Sequence, residues 1–237
     1  FSLQAFFDGS RLVAMPLAQD YKRSLDGDRG PNTGGMGSIT DHDHLLPFIP
    51  RSSSDAALDI MTRVGNAMRK DGMPFRGIMY GQFMLTHSGT KLIEINARFA
   101  DPEGVNVLSI LDDDLVEILF GIAGSNMKAT AKFANKATVL RYAVPRGYGS
   151  DPLPGSLDID DPGKEDALIY YASVNGTLSH VEMTKSRALA LVGIADTIKE
   201  AGMKVDSLAR HVHGDFYMRT DIGSEEMLSG KMNRLKG

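Results

Sequence analysis

Glu94-Ile95-Asn96-Ala97-Arg98 sets a carboxylate, an amide and a guanidinium at every second position. Residues two apart on a strand leave the same face, so an extended segment here presents all three together. Upstream, Gly81-Gln82-Phe83-Met84-Leu85 alternates in the same way, and His87-Ser88-Gly89-Thr90 lies between the two runs. The pattern predicts an antiparallel hairpin with Gln82 on the facing strand. A carboxylate and two amide oxygens are hard donors suited to Mg²⁺, and a neighbouring guanidinium meets a phosphate or acyl phosphate. Phosphoryl transfer from ATP uses those groups. Taken alone, though, alternating Glu, Asn and Arg is better read as the wet side of a two-faced sheet.

A second motif shifts that balance. Asp26-Gly27-Asp28-Arg29-Gly30-Pro31-Asn32-Thr33-Gly34-Gly35-Met36-Gly37 is dense in glycine, with Pro and Asn interspersed. Such a stretch is expected to be irregular, because glycine permits positive φ and lets main-chain N–H groups come close to a ligand. Successive free N–H groups form an anion-binding concavity. An ordinary surface loop is the alternative. Neither G-x-x-x-x-G-K-[ST] nor G-x-G-x-x-G is present, so this is not a P-loop or a dinucleotide fingerprint.

Three stretches together carry a resemblance: Gln19-Asp20-Tyr21-Lys22-Arg23, the D-G-D-x-G-P-N-T-G-G-M-G segment, and EINARFADPE from Glu94 to Glu103. The chain resembles the phosphoribosylamine–glycine ligases, ATP-grasp enzymes of purine biosynthesis. Arg219-Thr220-Asp221-Ile222-Gly223 matches an R-x-D-I-G near that family's C-terminus. The resemblance implies ATP-dependent ligation of glycine to 5-phosphoribosylamine through glycyl phosphate, giving glycinamide ribonucleotide, ADP and phosphate. It implies Mg²⁺ or Mn²⁺ held by Gln82, Glu94 and Asn96, and Arg98 set against the transferred phosphoryl group. Asp20, Lys22, Pro31, Asn32, Thr33, Gly34, Gly35, Asp101, Pro102 and Glu103 match segments lining the substrate pocket. Ala97 and Ala100 depart from commoner residues of the family and carry no chemistry. Two rivals are a different ATP-grasp carboxylate–amine ligase, which should lack the glycine-rich segment, and a non-catalytic nucleotide- or metabolite-binding module.

The elements that must position these residues follow from patterning. The family resemblance predicts an α+β fold: an ATP-grasp lobe of antiparallel sheet and helices over 1–124, a linker over 125–136, and a small α+β domain over 137–237. The start at Phe1, inside an alternating strand pattern, implies that the family's N-terminal domain and first ATP-grasp part are missing, and that the isolated polypeptide is inactive. Strands over Phe1–Asp8 and Leu12–Ala18 flank an Asp8-Gly9-Ser10-Arg11 turn, and a helical stripe over Ser53–Asp71 stops at Gly72. Pro102-Glu103 opens a helix to Leu111, and Asp112-Asp113-Asp114 caps another over Leu115–Ala123 rather than binding metal. In the second half, strands are predicted over Ala137–Val144, Ala167–Val174, Leu178–Met183 and Arg187–Ile194, with Asn175-Gly176 as a turn and Arg146–Asp161 as a long loop. Thr197 and Glu200 have capping-box spacing for a helix towards His211.

Histidines suggest little chemistry. Asp41-His42-Asp43-His44 reads as a solvated turn, His211-Val212-His213 as a helix end favourable to the dipole, and His180 as a strand residue with no obvious partner. The absence of cysteine excludes disulfides and thiolate metal sites and fits a cytoplasmic protein. A net charge of −4 argues against binding a nucleic-acid backbone, and no apolar run is long enough to cross a bilayer. The partners implied are small molecules: ATP, glycine and 5-phosphoribosylamine.

Overall fold

The computed structural model describes residues 1–161, 163 and 167–234. The elements begin with β1 (Ser2–Asp8), β2 (Leu12–Ala14), β3 (Gln19–Leu25), β4 (Arg29–Thr40), α1 (Arg51–Lys70), β5 (Arg76–Thr86) and β6 (Gly89–Asn96). Next come α2 (Glu103–Leu108), α3 (Leu115–Gly124), β7 (Ala137–Pro145), β8 (Ser156–Ile159), β9 (Ala167–Tyr171), β10 (Val174–Gly176) and β11 (His180–Met183). The chain continues through β12 (Leu189–Ala195), α4 (Ile198–Ala209), β13 (Val212–Gly214), β14 (Phe216–Tyr217) and α5 (Glu225–Arg234). No helix among the described residues is long and apolar enough to cross a membrane.

Two compact units result, Phe1–Gln19 with Thr40–Asn135, and Asp20–Ile39 with Lys136–Gly237. Residues 20–39 thus group with the second half of the chain, which a linear division at 124 does not provide for.

The first unit is built on an antiparallel sheet ordered β2-β1-β5-β6. Its β1–β2 turn forms because Asp8 Oδ1 accepts from the amides of Ser10 at 2.9 Å and Arg11 at 2.7 Å, while Gly9 takes φ +95°. β2 is shorter than its pattern suggests, ending at Ala14. Alternation gives the sheet two faces. Phe7 meets α1 at Gly65, where an added Cβ would lie 2.5 Å from the Phe7 ring. Phe6 and Ile78 instead join Val107, Ile118, Ile122 and Met127, from and beside α2 and α3, in an apolar cluster. Asp114 caps α3 by accepting from Val116 and Glu117 amides, as the acidic triplet foretold. The helix after Pro102 ends at Leu108, three residues short of its expected end.

The second unit holds a sheet ordered β3-β4-β7-β12-β9, with β14 on β7, and a smaller one ordered β10-β11-β8-β13. α4 starts where predicted: Thr197 Oγ1 accepts from the Glu200 amide at 3.2 Å. Three sequence expectations give way here. Asn175 and Gly176 lie within β10, paired with Glu182 and Val181, so the turn falls after them. The expected long loop contains β8, whose buried Leu157 and Ile159 alternate with exposed residues. Val212–Gly214 is a strand rather than a helix end, with His213 paired to Asp160 at 2.8 Å. Nor is His180 alone: its ring nitrogens meet Asp158 at 2.7 Å and Glu182 at 3.3 Å, and those two bonds raise its pKa against slight desolvation.

Candidate active site

β5 and β6 form the predicted hairpin around a shorter turn, with Gln82 directly opposite Glu94 and Tyr80 opposite Asn96. Facing residues share a side of the sheet, so Gln82, Glu94 and Asn96 lie together. The Asn96 amide donates to Glu94 Oε1 at 2.9 Å. The register shifts just beyond, where Phe83 opposes Leu92 and Ile93 is left without a partner. Such a bulge re-aims neighbouring side chains, and here it borders Glu94. The strand ends at Asn96, so strict alternation does not reach Arg98, contrary to the single-face reading. Arg98 is exposed in the following bend and donates to the Phe99 carbonyl at 3.0 Å. Asp101 is exposed, whereas Pro102 and Glu103 are buried, and Glu103 Oε1 accepts from the Tyr80 hydroxyl at 3.0 Å.

Among the described residues, no three His, Asp or Glu side chains are placed to hold a metal ion. The hairpin offers one carboxylate and two amides instead. Mg²⁺ retains much of its hydration and is commonly bound by one or two carboxylates plus substrate phosphates, so this donor set fits a phosphate-bridging ion rather than an all-protein cage.

In the second unit the glycine-rich segment is a strand. Arg29–Thr40 runs between β3 and β7, and only Asp26-Gly27-Asp28 forms a turn. Close packing requires one of its glycines, since a Cβ on Gly37 would lie 2.2 Å from the Leu140 carbonyl oxygen, and Gly30 and Gly35 take positive φ. At the turn, Gly27 and Asp28 take φ +73° and +54°. The Gly27 amide donates to Asp221 and the Gly35 amide to Thr33 Oγ1, so those two N–H groups are engaged within the protein. Asp20 is buried and pairs with Lys22 at 2.7 Å, while Thr33 Oγ1 donates to the Lys22 carbonyl at 2.8 Å. Pro31, Asn32, Thr33, Gly34 and Gly35 thus lie on β4. The Gly34 carbonyl accepts from Arg187, whose guanidinium stands 4.6 Å from the centre of the Tyr142 ring.

The D-G-D turn is clasped by the R-T-D segment. Arg219, fully buried, donates twice to Asp221 at 2.8 and 2.7 Å, and to Asp28 and the Arg23 carbonyl at 3.0 Å each. Thr220 donates to Asp26 through its amide and hydroxyl. Burial opposes charge on Arg219, but its bonds to Asp221 and Asp28 outweigh it and raise the pKa. Burial likewise opposes charge on Asp221, and the bonds from Arg219 and Gly27 reverse this, lowering its pKa. Sequence reading marked both motifs without pairing them. Complementary charge in two Gly-containing signatures about 190 residues apart was the available signal.

Residues 1–104, which include the hairpin and its surroundings, match the family model described as the phosphoribosylglycinamide synthetase ATP-grasp (A) domain. Over its whole length the chain is 45% identical to a phosphoribosylamine–glycine ligase of Pyrococcus horikoshii and 47% identical to one of Methanoregula boonei, covering 54% and 55% of them. The crystal structure of phosphoribosylamine–glycine ligase from Thermotoga maritima superposes with a TM-score of 0.81 at 28% identity, over 93% of this chain and 55% of that one. Along its whole length the chain is thus similar to phosphoribosylamine–glycine ligases. It spans about half the length of the curated relatives it matches.

Proposed function

We propose that the complete protein ligates glycine to 5-phosphoribosylamine using ATP. Glycine's carboxylate takes the γ-phosphoryl group, releasing ADP and forming glycyl phosphate; the amine of phosphoribosylamine then attacks the carbonyl carbon, and phosphate leaves. Gln82, Glu94 and Asn96 supply oxygen ligands to Mg²⁺ or Mn²⁺. When bound, the ion offsets phosphate charge and orients ATP. Exposed Arg98 swings from the Phe99 carbonyl to the transferred phosphoryl group, where a guanidinium stabilises spreading negative charge. Asp20, Lys22, the Pro31–Gly35 strand and Asp101 hold the substrates, while Pro102 and Glu103 beside Asp101 in sequence are buried.

The register that sets Gln82 opposite Glu94, with Asn96 bonded to the same carboxylate, is the observation that supports this reading most strongly. Glu94→Ala in the full-length protein tests it. Glu94 is exposed, so folding should be nearly untouched while ligation is lost. Turnover like the wild type would remove Glu94 from the metal site.

A further inference from the structure

Gln4, Tyr80 and Asn96 stand opposite one another on three neighbouring strands, β1, β5 and β6. Their side chains therefore leave one face of the sheet, in the row adjoining Gln82 and Glu94. Further along that face, Phe6 and Ile78 belong to the apolar cluster. Gln4 and Tyr80 are nonetheless polar, and they are 1% and 2% exposed.

Burying polar groups is costly unless they are bonded, so their partners show what they are for. Gln4 Oε1 accepts from the Ala100 amide at 2.8 Å, and the Tyr80 hydroxyl donates to Glu103 Oε1 at 3.0 Å. Both tethers end on the segment just after Arg98. Between them the chain folds back, with the Gly104 amide donating to the Ala100 carbonyl at 2.8 Å. Gln4 Nε2 is buried with no hydrogen-bond partner among the described residues. An apolar side chain of similar size would avoid that cost, yet it could not accept from Ala100.

We propose that Gln4, Tyr80 and Glu103 are positioning residues for the metal–phosphate hairpin. They pin the chain on leaving β6, and so fix the direction in which Arg98 departs and hold Asn96 in register against Tyr80. Glu103 then acts from beneath the site, through Tyr80, and not as a substrate ligand. The inference rests on the hairpin being the metal–phosphate site, as proposed above.

The test uses the full-length protein, with Mn²⁺ affinity measured by electron paramagnetic resonance in the presence of ATP, alongside kcat, the KM for glycine and Tm. Tyr80→Phe removes only the hydroxyl, and Gln4→Met keeps length without the acceptor. Each is expected to weaken Mn²⁺ binding or kcat by about 10-fold, at the lower end of what groups orienting metal ligands contribute, with the KM for glycine unchanged. Glu103→Gln keeps an oxygen acceptor for Tyr80 and is expected to stay within about threefold of wild type, below that range. A lowered Tm with wild-type Mn²⁺ affinity and kcat in Tyr80→Phe and Gln4→Met would overturn the inference, as would inactive Glu103→Gln. Glu94→Gln is run in parallel to separate the two claims. Loss of Mn²⁺ binding there, with the brace variants unaffected, sinks the inference alone, whereas retained binding in Glu94→Gln sinks the site reading beneath it.

Discussion

Arg219→Met should destabilise the protein strongly, because the guanidinium is the hub of the clasp on the D-G-D turn. Met preserves most of the aliphatic volume and removes four hydrogen bonds, two to Asp221, one to Asp28 and one to the Arg23 carbonyl. The carboxylates it leaves behind are not equally dry: Asp221 has 18% of its side chain exposed and Asp28 has 36%. Removing one partner of a fully buried pair costs about 3–5 kcal/mol, and partial hydration of both acids argues for the lower end, about 3 kcal/mol. The Tm shift per kcal/mol shrinks with chain length, from about 2–4 °C at the size of this chain, so the midpoint of the longer full-length protein should fall by about 3–6 °C. Arg219→Lys restores charge without the planar fork and should recover only part of that loss. Scanning calorimetry of the full-length protein, with urea denaturation as a second measure, reads both. A loss below about 1 kcal/mol in Arg219→Met, the range of an exposed ion pair, would refute the clasp as a stabilising feature.

Gly37→Ala should prevent normal packing of β4 on β7, since its Cβ would sit 2.2 Å from a main-chain oxygen that cannot rotate away. Destabilisation of about 3 kcal/mol or more is expected, and a soluble variant melting like wild type would contradict the close approach. Acid should weaken the clasp as well. Asp221 has a folded pKa below its ordinary 3.8, so its contribution is fully present above that value and is lost as pH falls through the lower folded one. Urea midpoints measured from pH 6 downward should drop less steeply in Asp221→Asn, and identical profiles would count against the linkage.

Periodic segments were the most legible. The stripe at Ala57, Leu58, Met61, Val64 and Met68 became α1, Gly72 stopped it at φ +76°, and the Asp114 and Thr197 caps formed as their spacing foretold. In the β5–β6 hairpin, alternation put Gln82, Glu94 and Asn96 on one face, as found, because that face is set by strand pairing alone. It could not show the bulge at Ile93, since an extra residue leaves no mark in an apolar run, and it carried the face one step too far, to Arg98. The glycine-rich segment misled only in part: Gly27, Gly30 and Gly35 do take positive φ, but from Arg29 onward the stretch is a strand. Glycine was read as a source of loop freedom, whereas Gly37 is required because another strand's backbone lies against it. His180 and His213 found their acids across neighbouring strands, in pairings set by tertiary register rather than local sequence. The Gln4 and Tyr80 tethers were illegible for the same reason, because their partners lie 96 and 23 residues away.

The most direct test is ADP release by the full-length protein with Mg²⁺ and ATP, adding glycine and freshly generated phosphoribosylamine singly and together. The account predicts sustained release only with both substrates present, and its loss in Glu94→Ala. Release indifferent to phosphoribosylamine, or none from a folded protein, would contradict the ligase reading.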